Sequence, residues 1–231
     1  MDYSNVYKKV QKAIVNVVQL QNQSNIVSTA TGTIIGDGTL VLTCSHCINP
    51  NLKNGLFIKP NSFIEGTIVF NDVDMDIAIL KFTSILGESL EIVSSNKMEI
   101  GNEIFTVGFP YKFPSEKTLT AGNIAAFENN LIKIDTSVNN GNSGGPLLTT
   151  DGNIVGVINT KLGRLSEFLE EVEKAKPQAF MQIGGIDPVK TIQEMLRQMT
   201  RDLNLGIGYA VPSSRIALVC SIIGGIIKEQ M

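Results

Sequence analysis

Asn140-Gly141-Asn142-Ser143-Gly144-Gly145-Pro146 is the stretch on which the reading of this chain turns. It sets Ser143 in a glycine-rich turn between two sheet-like segments, 131–136 and 153–160. Gly141, Gly144 and Gly145 carry no Cβ, so the backbone there can bend sharply and reach positive φ. Such a turn exposes a serine hydroxyl and aims neighbouring N–H groups into one space, as stabilisation of an oxyanion requires. By itself a run of Gly, Asn and Ser reads as a hairpin loop. It becomes a candidate nucleophile only if the chain supplies a base for that serine and an acceptor for that base.

Working outward, the base is found first. The chain has one histidine, His46, in Thr43-Cys44-Ser45-His46-Cys47, where a predicted strand over 39–43 gives way to a loop. The acceptor comes from Asp72-Val73-Asp74-Met75-Asp76-Ile77-Ala78-Ile79-Leu80, three carboxylates ahead of an apolar run that must be buried. Asp76 abuts that run and is the carboxylate drawn toward the core, where it needs a partner. Asp72 and Asp74 read as solvated turn residues. A serine hydroxyl is a weak nucleophile until a neutral imidazole takes its proton, and the imidazole needs an acceptor to fix its tautomer. The order of the three decides between folds. Gly141-x-Ser143-x-Gly145 also fits the nucleophile elbow of α/β-hydrolases, but there the histidine follows the serine, and none follows here. The subtilisin order needs an acid before the histidine, and neither Asp2 nor Asp37 stands beside a buried run. His–Asp–Ser is the order that remains, that of the two-barrel chymotrypsin type.

Strand signals agree with that order. Short runs rich in Val, Ile, Thr and Phe occur at 13–20, 26–35, 39–43, 56–60, 63–70 and 76–82. A second series follows at 103–108, 118–127, 131–136, 147–149, 153–160 and 205–211. Gly, Asn, Asp and Pro punctuate both, the spacing of a sandwich or barrel. The expected fold is therefore all-β, with two tandem antiparallel six-stranded barrels. Residues 1–102 carry His46 and Asp76, and residues 103–231 carry Ser143. A short helix over 3–12 precedes them. Residues 161–204 read as a helical insertion, with Leu162, Leu165, Phe168, Leu169 and Val172 at helical spacing and a second such set from Val189 to Met199. A closing helix is expected over 213–228.

Composition narrows the classes. With 231 residues, 43% of them hydrophobic, the chain can build real cores; a net charge of −3 without a basic cluster argues against nucleic acid. Cys44, Cys47 and Cys220 make no even disulfide framework and read as reduced thiols. No signal peptide is visible, and the apolar run 216–227 is too short to span a bilayer. The expectation is a soluble cytoplasmic protein that binds neither membrane nor nucleic acid. Cys44, His46 and Cys47 suggest a metal site, but no fourth ligand is evident and Cys220 is remote, so no metal or other cofactor is expected.

The motifs together resemble the trypsin-like serine proteases of the HtrA/DegP group, over most of 13–160 and again over 205–216. Thr31-Gly32-Thr33-Ile34-Ile35 leading to Leu42-Thr43-Cys44-Ser45-His46 is similar to the family's G-(S/T)-G stretch ending in T-x-x-H. Asp76-Ile77-Ala78-Ile79-Leu80 is similar to its D-(I/L)-A-(L/V)-L segment, and Gly141-Asn142-Ser143-Gly144-Gly145-Pro146-Leu147 to its serine loop. Gly206-Ile207-Gly208-Tyr209-Ala210-Val211-Pro212 resembles its G-I-G-F-A-I-P strand. The resemblance implies a serine endopeptidase acting on protein or peptide substrates. His46 would be the general base, Asp76 its orienting partner, Ser143 the nucleophile, and the N–H groups of Gly141 and Ser143 the oxyanion hole. It also implies that Val157, Ile158, Asn159 and Thr160 pair with the substrate backbone. Ser137, Gly208 and Ala210 would line a specificity pocket suited to small or medium aliphatic residues. Asn142 stands where animal trypsins carry the aspartate that pairs with a newly cut N-terminus, so activation by that route is not expected. Peptide recognition by a PDZ domain is not expected from this sequence. The insertion 161–204 leaves and re-enters beside the substrate strand, which suggests a gate or a docking element for a regulatory partner. Two other functions fit the same scaffold: a catalytically silent binding module and a non-proteolytic acyl hydrolase.

Overall fold

The computed structural model describes residues 2–21, 25–59, 62–110, 116–138, 141–159, 191, 193–194 and 206–229. Strands dominate. Seven make the first sheet: β1 (Ile14–Gln21), β2 (Asn25–Ile35), β3 (Leu40–Thr43), β4 (Lys53–Lys59), β5 (Ser62–Glu65), β6 (Thr67–Asp72) and β7 (Ile77–Lys81), in the order β5-β4-β1-β2-β3-β7-β6. Six more close a barrel: β8 (Glu103–Gly108), β9 (Thr118–Glu128), β10 (Leu131–Ile134), β11 (Pro146–Thr149), β12 (Ile154–Asn159) and β13 (Gly208–Pro212), in the order β10-β13-β12-β11-β8-β9. The all-β expectation holds, and burial follows the residue pattern. Ile77 to Leu80 of β7 are fully buried, as an unbroken apolar run between two neighbours should be. Edge strand β6 instead alternates exposed and half-buried residues, the period-two signature of a strand with one solvated face.

The first sheet departs from the expected six-stranded barrel in one place. The run predicted as a single strand over 63–70 breaks at Gly66 into β5 and β6, which lie on opposite edges of the sheet. One residue separates them in the chain, so the sheet must curl until its edges meet. The Gly66 N–H donates to Asn54 O at 2.9 Å, tying the bend to β4. A Cβ at Gly66 would stand 2.7 Å from the Phe82 ring, which packs under the bend. The result is a half-barrel joined across its gap by the chain itself.

Among the described residues, short helices flank the sheets at α1 (Ser4–Val10), α2 (Ser213–Val219) and α3 (Ser221–Ile226). The predicted closing helix is thus two helices. The backbone at Cys220 is extended (φ −109°, ψ 102°), which turns the chain so that Cys220 and Ile223 are both buried while Leu218 is left exposed. Lys228 then bridges to Val93, its carbonyl accepting from the Ser94 N–H at 2.8 Å. Helix α1 packs on the second barrel before the chain enters the first sheet. The Tyr3 and Phe105 rings lie 5.2 Å apart, and Val10 stands 2.8 Å from where a Gly152 Cβ would be. None of the described helices is long and apolar enough to cross a membrane. The insertion predicted over 161–204 lies outside the described residues, apart from Thr191, Gln193 and Glu194, which are helical.

Two apolar clusters form the core. The larger runs from the first sheet into the second, joining Ile34, Leu42, Ile77 and Leu80 to Phe105, Leu148, Val157 and Val211. The smaller fills the barrel with Ile104, Ile124, Ile132, Ile134, Leu147, Val155, Ile158 and Ala210 around Val93.

Candidate active site

Strand pairing sets the first half of the site. In the β3–β7 ladder Thr43 lies opposite Ala78, so the turn that follows β3 and the turn that precedes β7 emerge side by side. Cys44 is extended, and Ser45–Cys47 forms a 3₁₀ turn closed by the Cys47 N–H on Cys44 O at 3.1 Å. This turn carries His46. On the other side, Asp72 Oδ1 accepts from the Met75 N–H at 2.8 Å, so Asp72 shapes a turn as expected. Asp76 follows with φ +58°, a left-handed conformation that costs on the order of 1 kcal/mol or more outside glycine. The carboxylate is held from three directions. Its Oδ1 accepts from the His46 backbone N–H at 2.8 Å, and its Oδ2 accepts from His46 Nδ1 at 2.5 Å and Asn159 Nδ2 at 2.8 Å.

That contact places the ring proton on Nδ1 and leaves Nε2 with the free lone pair. The two side chains are only 17% and 15% exposed. Burial works against a charged imidazole, but the hydrogen bond it donates to Asp76 and the neighbouring Cys47 override that, and His46 rises from an ordinary 6.5 to about 9. Cys47 moves the other way, to about 6, because its contact with Cys44 and the adjacent imidazole outweigh its burial.

The second half is held between Thr31 of the first sheet and Ile158 of β12 in the second. Thr31 of β2 donates its Oγ1 hydrogen to Gly141 O at 2.6 Å and accepts there from the Phe109 N–H at 3.0 Å. The Thr31 N–H donates to Ser143 O at 3.0 Å. The Gly144 N–H donates to Ile158 O at 2.9 Å, and the Ile158 N–H returns a bond to Gly145 O at 2.8 Å. Gly141 and Gly144 have φ of +98° and +81°. At Gly144 an added Cβ would stand 2.2 Å from Thr43 Oγ1 and 2.3 Å from Thr31 O, so glycine is required by contact as well as by conformation. Ser143 is brought against the turn that carries His46, its carbonyl 3.7 Å from Cys47 Sγ. It is only 4% exposed, less open than the sequence suggests, because the turn is pressed onto β2 and β3. Among the described residues the Gly141 N–H meets no acceptor. The Asn142 amide is buried with neither its nitrogen nor its oxygen hydrogen-bonded among them.

The residues expected to bind substrate divide. Val157 pairs with Pro146 and Val211 on its two sides, and Ile158 is bonded to Ala210's strand and to the serine loop. Neither offers an open edge for an added strand, which corrects that expectation; sequence shows a strand but not how many neighbours it has. Asn159, the next residue, instead turns its side chain onto Asp76. Thr160 lies outside the described residues. Ser137 is half-buried at the end of the β10 segment, and Gly208 sits beneath its neighbour Val138, whose Cγ2 is 2.3 Å from where a Cβ would be. Ala210 faces the small barrel core rather than a pocket, a second correction. A cleft of about 610 Å³ opens beside Asp76, bordered by Asp74, Met75, Lys133, Asn159 and Tyr209. Sequence reasoning missed Thr31 as a site residue and gave Asn159 to the substrate backbone rather than to Asp76. Thr31 stands in a quoted motif, but nothing local says that its hydroxyl reaches a loop 110 residues away.

Known proteins share this arrangement of elements. A family model described as a trypsin-like peptidase domain matches residues 30–157. The chain is 24% identical over 234 residues to mouse "Serine protease HTRA4", covering 88% of this chain and 47% of that protein. It is 22% identical over 228 residues to "Serine endoprotease DegS" of Haemophilus influenzae, covering 90% of this chain and 64% of that one. The chain thus spans about half to two thirds of the length of these relatives. Among solved structures, a serine endoprotease from Yersinia pestis superposes with a TM-score of 0.67 at 23% identity, covering 96% of this chain and 66% of that one. At that identity the likeness speaks for the fold.

Proposed function

From the premise that this chain belongs to the trypsin-like peptidase family, we propose that it is a serine endopeptidase that cleaves protein or peptide substrates through His46, Asp76 and Ser143. The observation that carries this reading is the His46 Nδ1–Asp76 Oδ2 contact of 2.5 Å on a turn packed against the Ser143 loop. Ser143 Oγ attacks the scissile carbonyl while Nε2 of neutral His46 takes its proton. Asp76 holds the tautomer and stabilises the imidazolium, and the proton then passes to the leaving amine. Water repeats the sequence on the acyl-enzyme. The N–H groups of Gly141 and Ser143 stabilise the oxyanion, each donor being worth roughly 2.7–4 kcal/mol where such a donor has been removed from another protease. Asn159 keeps Asp76 from rotating away from the ring. The uncharged Ser137, together with Gly208 crowded by Val138, supports cleavage after small or medium aliphatic residues. The three free thiols support a reducing, cytoplasmic setting.

A fluorophosphonate probe and a protein substrate test the reading together. Labelling at Ser143 with release of peptides, both lost in Ser143→Ala, is the expected result. Labelling with turnover of small esters alone would point to an acyl hydrolase, and no labelling of the folded protein to a silent binding module.

A further inference from the structure

Two thiols flank His46, and the proposed reaction uses neither. Cys44 and Cys47 are 0% and 3% exposed, and the 3₁₀ turn puts them on the same side of the chain. The two Sγ atoms and an imidazole nitrogen of His46 all lie within 4.8 Å of one another. Three atoms so spaced have a common point within about 2.8 Å of each, against zinc–sulfur and zinc–nitrogen bonds of about 2.3 and 2.1 Å. Closing that difference takes movements of roughly half an ångström, within side-chain reach. Asp76, hydrogen-bonded to the same ring, supplies the carboxylate neighbour that ligating imidazoles commonly have.

We propose that Cys44, His46 and Cys47 bind one thiophilic divalent cation of the zinc class, and that its occupancy switches the peptidase off. On binding, two protons held among Cys44, Cys47 and the His46 ring pass to solvent, and the two thiolates cancel the charge of the ion. A buried site therefore gains no net charge. His46 contributes one ring nitrogen, and an imidazole held by the ion is lost as the group that would accept the Ser143 proton. The fourth position is left for water. The thiol hydrogens now directed at Ile158 O (3.2 Å) and Ser143 O (3.7 Å) are given up, so occupancy also loosens contacts to β12 and the serine loop. The binding claim stands by itself; the inhibitory claim rests on the proposed peptidase function.

The test uses the full chain, reduced with a phosphine and treated with chelator, then titrated with Co²⁺ and Zn²⁺. The expected result is one Co²⁺ per chain with thiolate-to-metal charge-transfer absorption, displaced by Zn²⁺. That signal should be lost in Cys44→Ser and in Cys47→Ser and kept in Cys220→Ala, and circular dichroism should show each variant folded. Zn²⁺ should lower wild-type peptidase activity at least tenfold, and lower that of each single variant, relative to its own metal-free rate, far less. Absence of a stoichiometric thiolate band in the reduced wild type overturns the site, as does a band that survives in both single variants. A band with full activity in the metal-loaded enzyme overturns the switch. A band in a protein that never cleaves peptides leaves the metal site standing and removes the peptidase reading instead.

Discussion

The two halves of the candidate site are built differently. His46 and Asp76 sit on turns that bracket paired strands β3 and β7, so a backbone ladder within one sheet sets their spacing. Ser143 sits on a connection between β10 and β11 that is gripped from both sheets: by Thr31 and the Cys44–Cys47 turn of the other one, and by Ile158 of β12 in its own. The larger core cluster shows the same division, running through the first sheet and into the second, while the barrel keeps a smaller core of its own. The difference teaches where precision comes from. A ladder positions side chains as a by-product of folding, whereas a glycine-rich loop adopts one shape only while another element presses on it.

Substitutions can break that contrast, beginning with the one expected to act most strongly. Asp76→Asn should leave the ladder intact yet lower kcat/KM about 10⁴-fold, the scale seen when a triad imidazole is left in the wrong tautomer. A smaller loss with unchanged pH dependence would mean that Asp76 does not orient the base. Gly144→Ala should lower activity on the order of 10²–10³-fold, the scale of losing an oxyanion donor. Its Cβ collides with Thr43 and Thr31 and its φ of +81° suits glycine. Thr31→Val, in the first sheet, should disturb the serine loop more than its own strand. It removes the donor to Gly141 O and the acceptor for Phe109 N–H. A loss of about 1–3 kcal/mol in denaturant unfolding is expected, together with slower probe labelling of Ser143. Normal labelling would show that the loop holds its shape without β2.

The pH profile sharpens the comparison from the His46 side. A general base works when neutral, so in chelator-treated enzyme kcat/KM should rise with pH, with a midpoint above 6.5 and toward 9. Cys47→Ala should move that midpoint down, because the neighbouring thiolate is one of the groups that raises it. Linkage has a definite sign here. A raised folded-state value means that the His46 contribution to stability is full below about 6.5 and is lost as pH climbs toward 9. Unfolding curves across that window measure it. The smallest effect is expected at Asn142→Ala. Its amide has no partner among the described residues, so removing it should change stability by less than about 1 kcal/mol, or raise it. A larger loss would reveal a bound water holding that side chain.

Most of this molecule could be read from its residues. Strand runs, the order His46–Asp76–Ser143 and the apolar stretch after Asp76 specify a two-sheet β protein, because period-two burial and turn chemistry are local properties. Those signals also placed the edges of most strands within two or three residues. What sequence could not supply is which distant groups meet. The Asn159 amide on Asp76, the Thr31 hydroxyl on Gly141, the bend at Gly66 that curls the first sheet and the break at Cys220 all depend on contacts across the fold. The same holds for β12, whose apolar run looks like any strand until its two neighbours at Val157 and Ile158 are seen. Local chemistry chose the side chains and the elements that bear them. Only packing, which brings together residues that know nothing of each other along the chain, decided how those elements meet.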